Sequence, residues 1–165
     1  MLILIMLAEF ISLGYIGAFL SGFLSTFTLF LPSPTFVVVA ILAATQQFNP
    51  LLLGIIGGMG AAIGEMIGYF VGYGIGFGIE KKRKYAKKIK YAKKLFDRFH
   101  PDAIIFVFSA APLLPFDIVG LFCGAIKYDK KRFFLIVSVG KIIKYIVLAY
   151  AGFYGIEYII KIFGL

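Results

Sequence analysis

Ser109-Ala110-Ala111-Pro112-Leu113-Leu114-Pro115-Phe116-Asp117 stands in the middle of an apolar stretch, Ala103 to Ile126, that is bracketed by two basic clusters. Upstream, ten of the seventeen Lys and Arg residues fall between Lys81 and Arg98, opposed there only by Asp97 and, just before the interval, by Glu80. Downstream stand Lys127, Lys130, Lys131 and Arg132. Basic clusters that flank membrane segments stay on the cytoplasmic side. A stretch with both flanks inside cannot cross once, so it must enter and return. Pro112 and Pro115 sit where that turn is needed: proline lacks the amide hydrogen and disfavours helix in the residue before it. The reading is a re-entrant hairpin, a backbone tolerated at membrane depth only where protein or trapped water covers it.

Working outward, the composition agrees with a membrane setting. Hydrophobic residues make up 61% of the 165, aromatics 18%, and the mean hydropathy is +0.97, far from the values of a soluble domain. An uncharged run from Phe10 up to Glu65, with others from Met66 to Ile79 and from Ala103 to Pro115, supplies segments of the ~20 apolar residues that a spanning helix needs. Nothing in Met1 to Ala8 reads as a secretory signal, so the first segment is expected to remain in the mature protein. The single cysteine, Cys123, excludes an intramolecular disulfide or a cysteine metal cluster and reads as a packing residue.

The first half repeats the logic of the second. Phe36 to Thr45 offers only ten apolar residues before the polar Gln46, Gln47, Asn49 and Pro50, too few to span. After Leu31-Pro32-Ser33-Pro34-Thr35 this piece returns most simply as the second arm of another hairpin, with Gln46 to Pro50 outside. The expected fold is therefore all-α and polytopic, one transmembrane domain over 1–165 with about three full spans. These are a long first helix within Leu2 to Phe30, one from Leu51 to Ile79, and a last from Phe133 to about Tyr158. Two opposed re-entrant hairpins complete it, their tips broken at Pro32, Pro34, Thr35, Pro112 and Pro115. The basic loop at 80–100 should be cytoplasmic. Its Tyr85, Ile89, Ala92, Phe96 and Phe99, three and four apart, form an apolar stripe that suits a helix lying on the anionic inner leaflet, which accounts for the charge without nucleic acid.

Ionisable residues at depth are costly and mark function. Glu65 lies well inside a span, Asp117 follows the Pro112/Pro115 break, and Lys141 and Lys144 sit within the last span. These four are the candidates for proton coupling and for holding an anionic substrate. Gly60, Gly64, Gly68 and Gly72 recur every four residues and are expected to form a smooth packing strip beside Glu65. The one histidine, His100, lies in a loop beside Pro101 and Asp102. With no metal-ligand cluster and no nucleophile–base spacing, neither an enzyme nor a bound cofactor or metal is expected.

As a set, these motifs resemble the DedA-like membrane proteins, also called the SNARE-associated Golgi or VTT-domain family. Gly64-Glu65-Met66-Ile67-Gly68-Tyr69-Phe70-Val71-Gly72 has the order of that family's glycine-rich helix, and Ser109 to Asp117 with Gly124 looks like its proline-containing loop. Val139-Gly140-Lys141-Ile142-Ile143-Lys144-Tyr145 with Gly152 looks most like the small YqaA-type branch. The chain departs from the family at several positions. Ser25 or Thr35 stands where many relatives have a glutamate, Ser109 where an arginine precedes the second proline loop, and Tyr73 where another arginine often follows the glycine-rich helix. Lys141 is the expected substitute for the missing positive charge, and Ser109 joins the candidate site. The resemblance implies translocation of phospholipid or polyprenyl phosphate between leaflets of the cell membrane, with protons as a coupling partner, and leaves a homo-oligomer open. A small-ion or proton antiporter using the same carboxylates, and a non-transporting scaffold acting through the basic loop, are the alternatives.

Overall fold

The computed structural model describes residues 9–25, 34–80, 100–111 and 116–163, together with Tyr91, Lys93, Lys94, Phe96 and Arg98. Its elements are α1 (Tyr15–Leu24), α2 (Pro34–Ala44), α3 (Pro50–Glu80), α4 (Pro101–Ala110), α5 (Phe116–Ala125) and α6 (Lys130–Phe163), with no strand among the described residues.

Two of these helices dominate. α3, of 31 residues, and α6, of 34, are about 46 and 51 Å long at 1.5 Å per residue, more than a ~30 Å hydrocarbon layer requires. Their apolar, membrane-capable portions run Pro50–Gly78 and Lys130–Gly155. Both begin where local chemistry tells them to. Asn49 caps α3 by accepting from the amides of Leu51 (2.9 Å) and Leu52 (3.3 Å), with Pro50 at the first helical position. Asp129 caps α6 by accepting from the Arg132 amide at 2.8 Å. The helices pack antiparallel, and close approach depends on glycine: a Cβ on Gly54 would lie 2.5 Å from Ile146 Cα, and one on Gly58 2.6 Å from Ile142 Cα.

The four short helices, of 10 or 11 residues, are about 15–17 Å long and cannot cross. They come in two pairs whose members scarcely touch each other and instead straddle the long helices. α1 lies on α3 and α2 on α6; correspondingly α4 lies on α6 and α5 on α3. The same plan therefore occurs twice. The start of α1 and the end of α2 meet at the Pro50 end of α3, where the Tyr15 ring packs edge-on to Phe48 (5.1 Å) and its hydroxyl accepts from the Asn49 amide (3.0 Å). The start of α4 and the end of α5 meet at the opposite end, where the Tyr128 hydroxyl donates to Asp102 and the Tyr69 hydroxyl donates to the Tyr128 carbonyl.

The long first helix expected within Leu2 to Phe30 is not continuous. Glu9 to Ser12 are helical, Leu13 and Gly14 turn with Gly14 at φ 56°, and α1 then starts afresh. The first segment folds back so closely that a Cβ on Gly17 would sit 1.7 Å from the Phe10 carbonyl oxygen. Two helices rather than three meet the length and apolarity of a span among the described residues. The glycine strip also divides. Gly60 receives α1, with the Phe19 carbonyl 2.2 Å from its Cβ position; Gly72 receives α5, with the Leu121 carbonyl at 2.1 Å; Gly68 faces open space. A four-residue period drifts around a helix of 3.6 residues per turn, so the row faces successive partners. Pro34 opens α2, while Pro32, Pro112, Pro115 and the side chain of Thr35 lie outside the described residues, as does the loop 81–90. Of the expected amphipathic stripe, Phe96 is described: it packs edge-on to Phe122 (5.3 Å) and Tyr128 (6.3 Å), beside the exposed Tyr91, Lys93, Lys94 and Arg98.

Candidate functional site

Within the two long helices, several large apolar residues face outward while three charged ones face inward. Phe70, Val71, Ile75 and Phe77 on α3 and Leu135, Val139 and Val147 on α6 are at least half exposed, whereas Glu65, Lys141 and Lys144 are buried at 3%, 6% and 8% exposure. Glu65 is the central residue of α3, with fifteen helical residues on either side.

Lys141 Nζ donates to Glu65 Oε1 at 2.6 Å, joining α6 to α3 across 76 residues of sequence. Lys141 lies about 17 Å from the start of α6, so the pair sits near the middle of both membrane-capable portions, Pro50–Gly78 and Lys130–Gly155. Its ammonium does not run out to an interface; it lies 5.0 Å over the ring of Phe116, the first residue of α5. Oε2 of Glu65 points toward α5 at Gly120, whose Cβ position would be 3.7 Å away. Asp117, one residue into α5 and partly buried, and Lys144 on α6 are within electrostatic range of the pair. The tertiary structure thus brings Glu65, Asp117, Lys141 and Lys144 together, two carboxylates with two ammonium groups. An ion pair at this depth holds only because each charge has a partner; removing either one leaves an uncompensated charge.

Ser109 stands one residue before the end of α4 and packs on α6 at Gly140, the residue next to Lys141. Its hydroxyl donates to the Phe106 carbonyl at 2.9 Å, and the helix docks on α6 where Gly140 leaves room: a Cβ there would fall 1.9 Å from Ser109 Oγ. Ser21, Ser25 and Thr45 likewise return their hydroxyls to carbonyls three residues back, at 3.1, 2.6 and 2.7 Å, which keeps polar groups satisfied inside a helix. Ser138 on α6 is different. It is 8% exposed, and among the described residues its Oγ has no hydrogen-bond partner.

From the site toward the Glu80 end of α3, aromatic rings form a continuous column. Phe116 stacks on Phe133 (6.0 Å), and Phe133 packs on Tyr69 (5.0 Å), whose hydroxyl reaches the Tyr128 carbonyl. Burial and the Asp102 carboxylate push the Tyr128 phenol up from its ordinary value, which keeps it a donor. Ser138, Phe116 and this column were missed by sequence reasoning. An aromatic in an apolar run has no signature of its own, and Ser138 is marked only by being a polar residue three positions before Lys141. His100, at φ 53° before α4, is exposed and remote from the site, and Cys123 is a buried core residue.

No curated protein and no solved structure matches the chain. A family model described as the VTT domain matches residues 31–154, from α2 to the end of the membrane-capable part of α6, and so takes in Glu65, Ser109, Asp117, Lys141 and Lys144. By that match over most of its 165 residues, the chain belongs to the VTT-domain family, the DedA/SNARE-associated membrane proteins.

Proposed function

We propose that this protein is a transporter of the cell membrane that moves a lipid or lipid-phosphate carrier between leaflets, with proton coupling through Glu65 and Asp117 and with Lys141 and Lys144 as anion partners. The observation that carries this reading is the Glu65–Lys141 pair, 2.6 Å apart at mid-depth between the two long helices. A membrane protein has no structural need for such a pair, since apolar side chains pack there without the cost of dehydrating charge. The surrounding plan supports a transport role. Short helices whose ends lie on one side and whose tips point to the midplane are the recurrent way to put a polar site inside a bilayer. In this reading α1–α2 and α4–α5 are re-entrant hairpins entering from opposite faces, the Tyr128–Asp102 end and the basic loop are cytoplasmic, and the chain is of the small YqaA-type branch. α5 starts at the site, so the positive end of its dipole favours an anion there.

The test is leaflet exchange of a fluorescent phospholipid or polyprenyl phosphate in liposomes, with and without a pH gradient. Wild type should exchange lipid, and Glu65→Gln and Asp117→Asn should lose the response to the gradient. Gradient-driven ion flux with no exchange of any lipid would transfer the same residues to an antiporter.

A further inference from the structure

In the site as it stands, the strongest anion in reach of Lys141 is the protein's own Glu65, and at the same level of α6 is a hydroxyl, Ser138 Oγ, with no hydrogen-bond partner among the described residues. We infer that Glu65 is a place-holder for a phosphate anion, which on binding takes Lys141 Nζ and Ser138 Oγ as donors while Glu65 accepts a proton and lets go. The inference rests on the transport reading for its source of phosphate and on the following observations for its chemistry.

The register between the long helices locates Ser138. Gly54 faces Ile146 and Gly58 faces Ile142, so the next step of the same antiparallel ladder sets Ala62 opposite Ser138, one helical turn from Glu65. Val139, the next residue, is 51% exposed, whereas Val137 and Ser138 are both buried, so these two face inward from α6 at this level and Ser138 is the polar one. Ser138, Lys141 and Lys144 follow at intervals of three and fall within about a third of the helix circumference. A buried hydroxyl in a helix ordinarily returns to a carbonyl of the preceding turn, as Ser21, Ser25 and Ser109 do. Ser138 does not, and a buried polar atom left unpaired is costly unless something else occupies it. Hydroxyl and ammonium together are donors suited to phosphate oxygens.

Charge balance supplies the proton. The groups facing Glu65 are Lys141 and Lys144 from α6 and Asp117 from α5, with the Tyr145 phenol beside Lys141; α1 and α2 bring no ionisable side chain to this level. With both carboxylates and both lysines charged the cluster is neutral. A phosphate monoanion entering it would leave one net negative charge at mid-depth, and one proton taken from water by Glu65 restores neutrality. Glu65 has its second oxygen toward the gap at Gly120, where a proton fits without a clash.

The experiment adds a lipid phosphate (phosphatidic acid or a polyprenyl phosphate) or inorganic phosphate to the purified protein in weakly buffered detergent at about pH 5, where the ligand is already a monoanion and a proton taken up is not its own. Binding is followed calorimetrically and proton uptake with an indicator dye. We expect about one proton taken up per ligand bound, with affinity falling about tenfold per unit as pH rises once Glu65 is ionised. Glu65→Gln should bind with no proton uptake and little pH dependence, and Ser138→Ala should weaken binding about tenfold while leaving the proton count at one. Uptake with inorganic phosphate alone would identify the source as free phosphate and uphold the exchange. Binding by wild type without proton uptake, Ser138→Ala binding like wild type, or no binding of either phosphate by folded protein would overturn it. Lipid exchange in liposomes is scored separately: exchange together with any of those failures sinks this inference alone, and proton-linked binding without exchange sinks the transport reading alone.

Discussion

The two pairs of short helices, α1–α2 and α4–α5, follow one plan and do different work. Each pair is clasped where its ends meet by a tyrosine, and each sends one arm to α3 and one to α6. The α1–α2 pair is uncharged from Tyr15 to Leu24 and from Pro34 to Ala44, and what it brings is packing: Ala18, Val38, Val39 and Leu42 are fully buried in a cluster with Leu53 and Tyr145. The α4–α5 pair delivers Ser109, Phe116 and Asp117 to the site. A repeated architecture has thus been loaded with chemistry on one side only, and the other side serves as scaffold.

The sharpest break of that comparison is at the residue both halves surround. Lys141→Ala leaves Glu65 buried and unpaired, at a cost of about 3–5 kcal/mol, and should abolish transport while the chain still inserts. Transport assay together with size-exclusion of the solubilised protein checks it, and a Glu65→Gln/Lys141→Met double variant should recover the folded yield but not activity.

Next come the glycines that seat the two arms on α3. Gly60→Ala pushes on the Phe19 backbone of α1, and Gly72→Ala on the Leu121 backbone of α5, each within about 2.2 Å of the added methyl. Both should lose about 1–3 kcal/mol in thermal unfolding, with Gly72→Ala losing far more transport because α5 carries Asp117. Gly68→Ala, with nothing within 4 Å, should be neutral or gain up to about 1 kcal/mol from helix propensity. Equal transport losses in the Gly60 and Gly72 variants would erase the distinction between scaffold and functional arms.

Smaller effects are expected at the clasps. Tyr128→Phe removes the bond to Asp102 and should speed hydrogen exchange at the start of α4 and the end of α5, for about 0.5–1.5 kcal/mol. Tyr15→Phe removes an acceptor from the exposed Asn49 amide, which water can replace, so its effect should be smaller still.

The smallest expected effect is a null one. Because the Tyr128 phenol is pushed up by burial and by Asp102, its protonated, donating form is favoured on folding. Its contribution is complete below the ordinary tyrosine value near 10 and fades only as pH rises through the higher folded value. Exchange protection of that clasp should therefore be flat between about pH 6 and about pH 9, and a loss of protection inside that window would show that another group holds it.

Much of this was legible in the chain because it depends on neighbours in sequence. The apolar runs of α3 and α6, read as spans from Leu51 and from Phe133, and the polar turn at Gln46 to Pro50 are local events, and the helices start within a few residues of those bounds, at Pro50 and Lys130. The cost of charge in hydrocarbon singled out Glu65, Asp117, Lys141 and Lys144 one by one. The break at Gly14 escaped notice because a lone glycine in an apolar run is compatible with a continuing helix; it turns here because the Glu9–Ser12 segment packs back on Gly17. The four-residue glycine row read as one strip because spacing does not reveal how many helices surround it.

By itself, then, the sequence determined that this is an all-helical membrane chain with charges where charge is expensive, since hydropathy, proline and the distribution of lysine and arginine act over a few residues at a time. Only the tertiary structure decided that Lys141 meets Glu65 rather than an interface, that Ser138 is buried beside them unbonded, and that α5 rather than α1 brings a carboxylate to the pair. Those outcomes hang on the register of α3 against α6, set by glycine contacts between residues some ninety apart, and no local pattern encodes such a register.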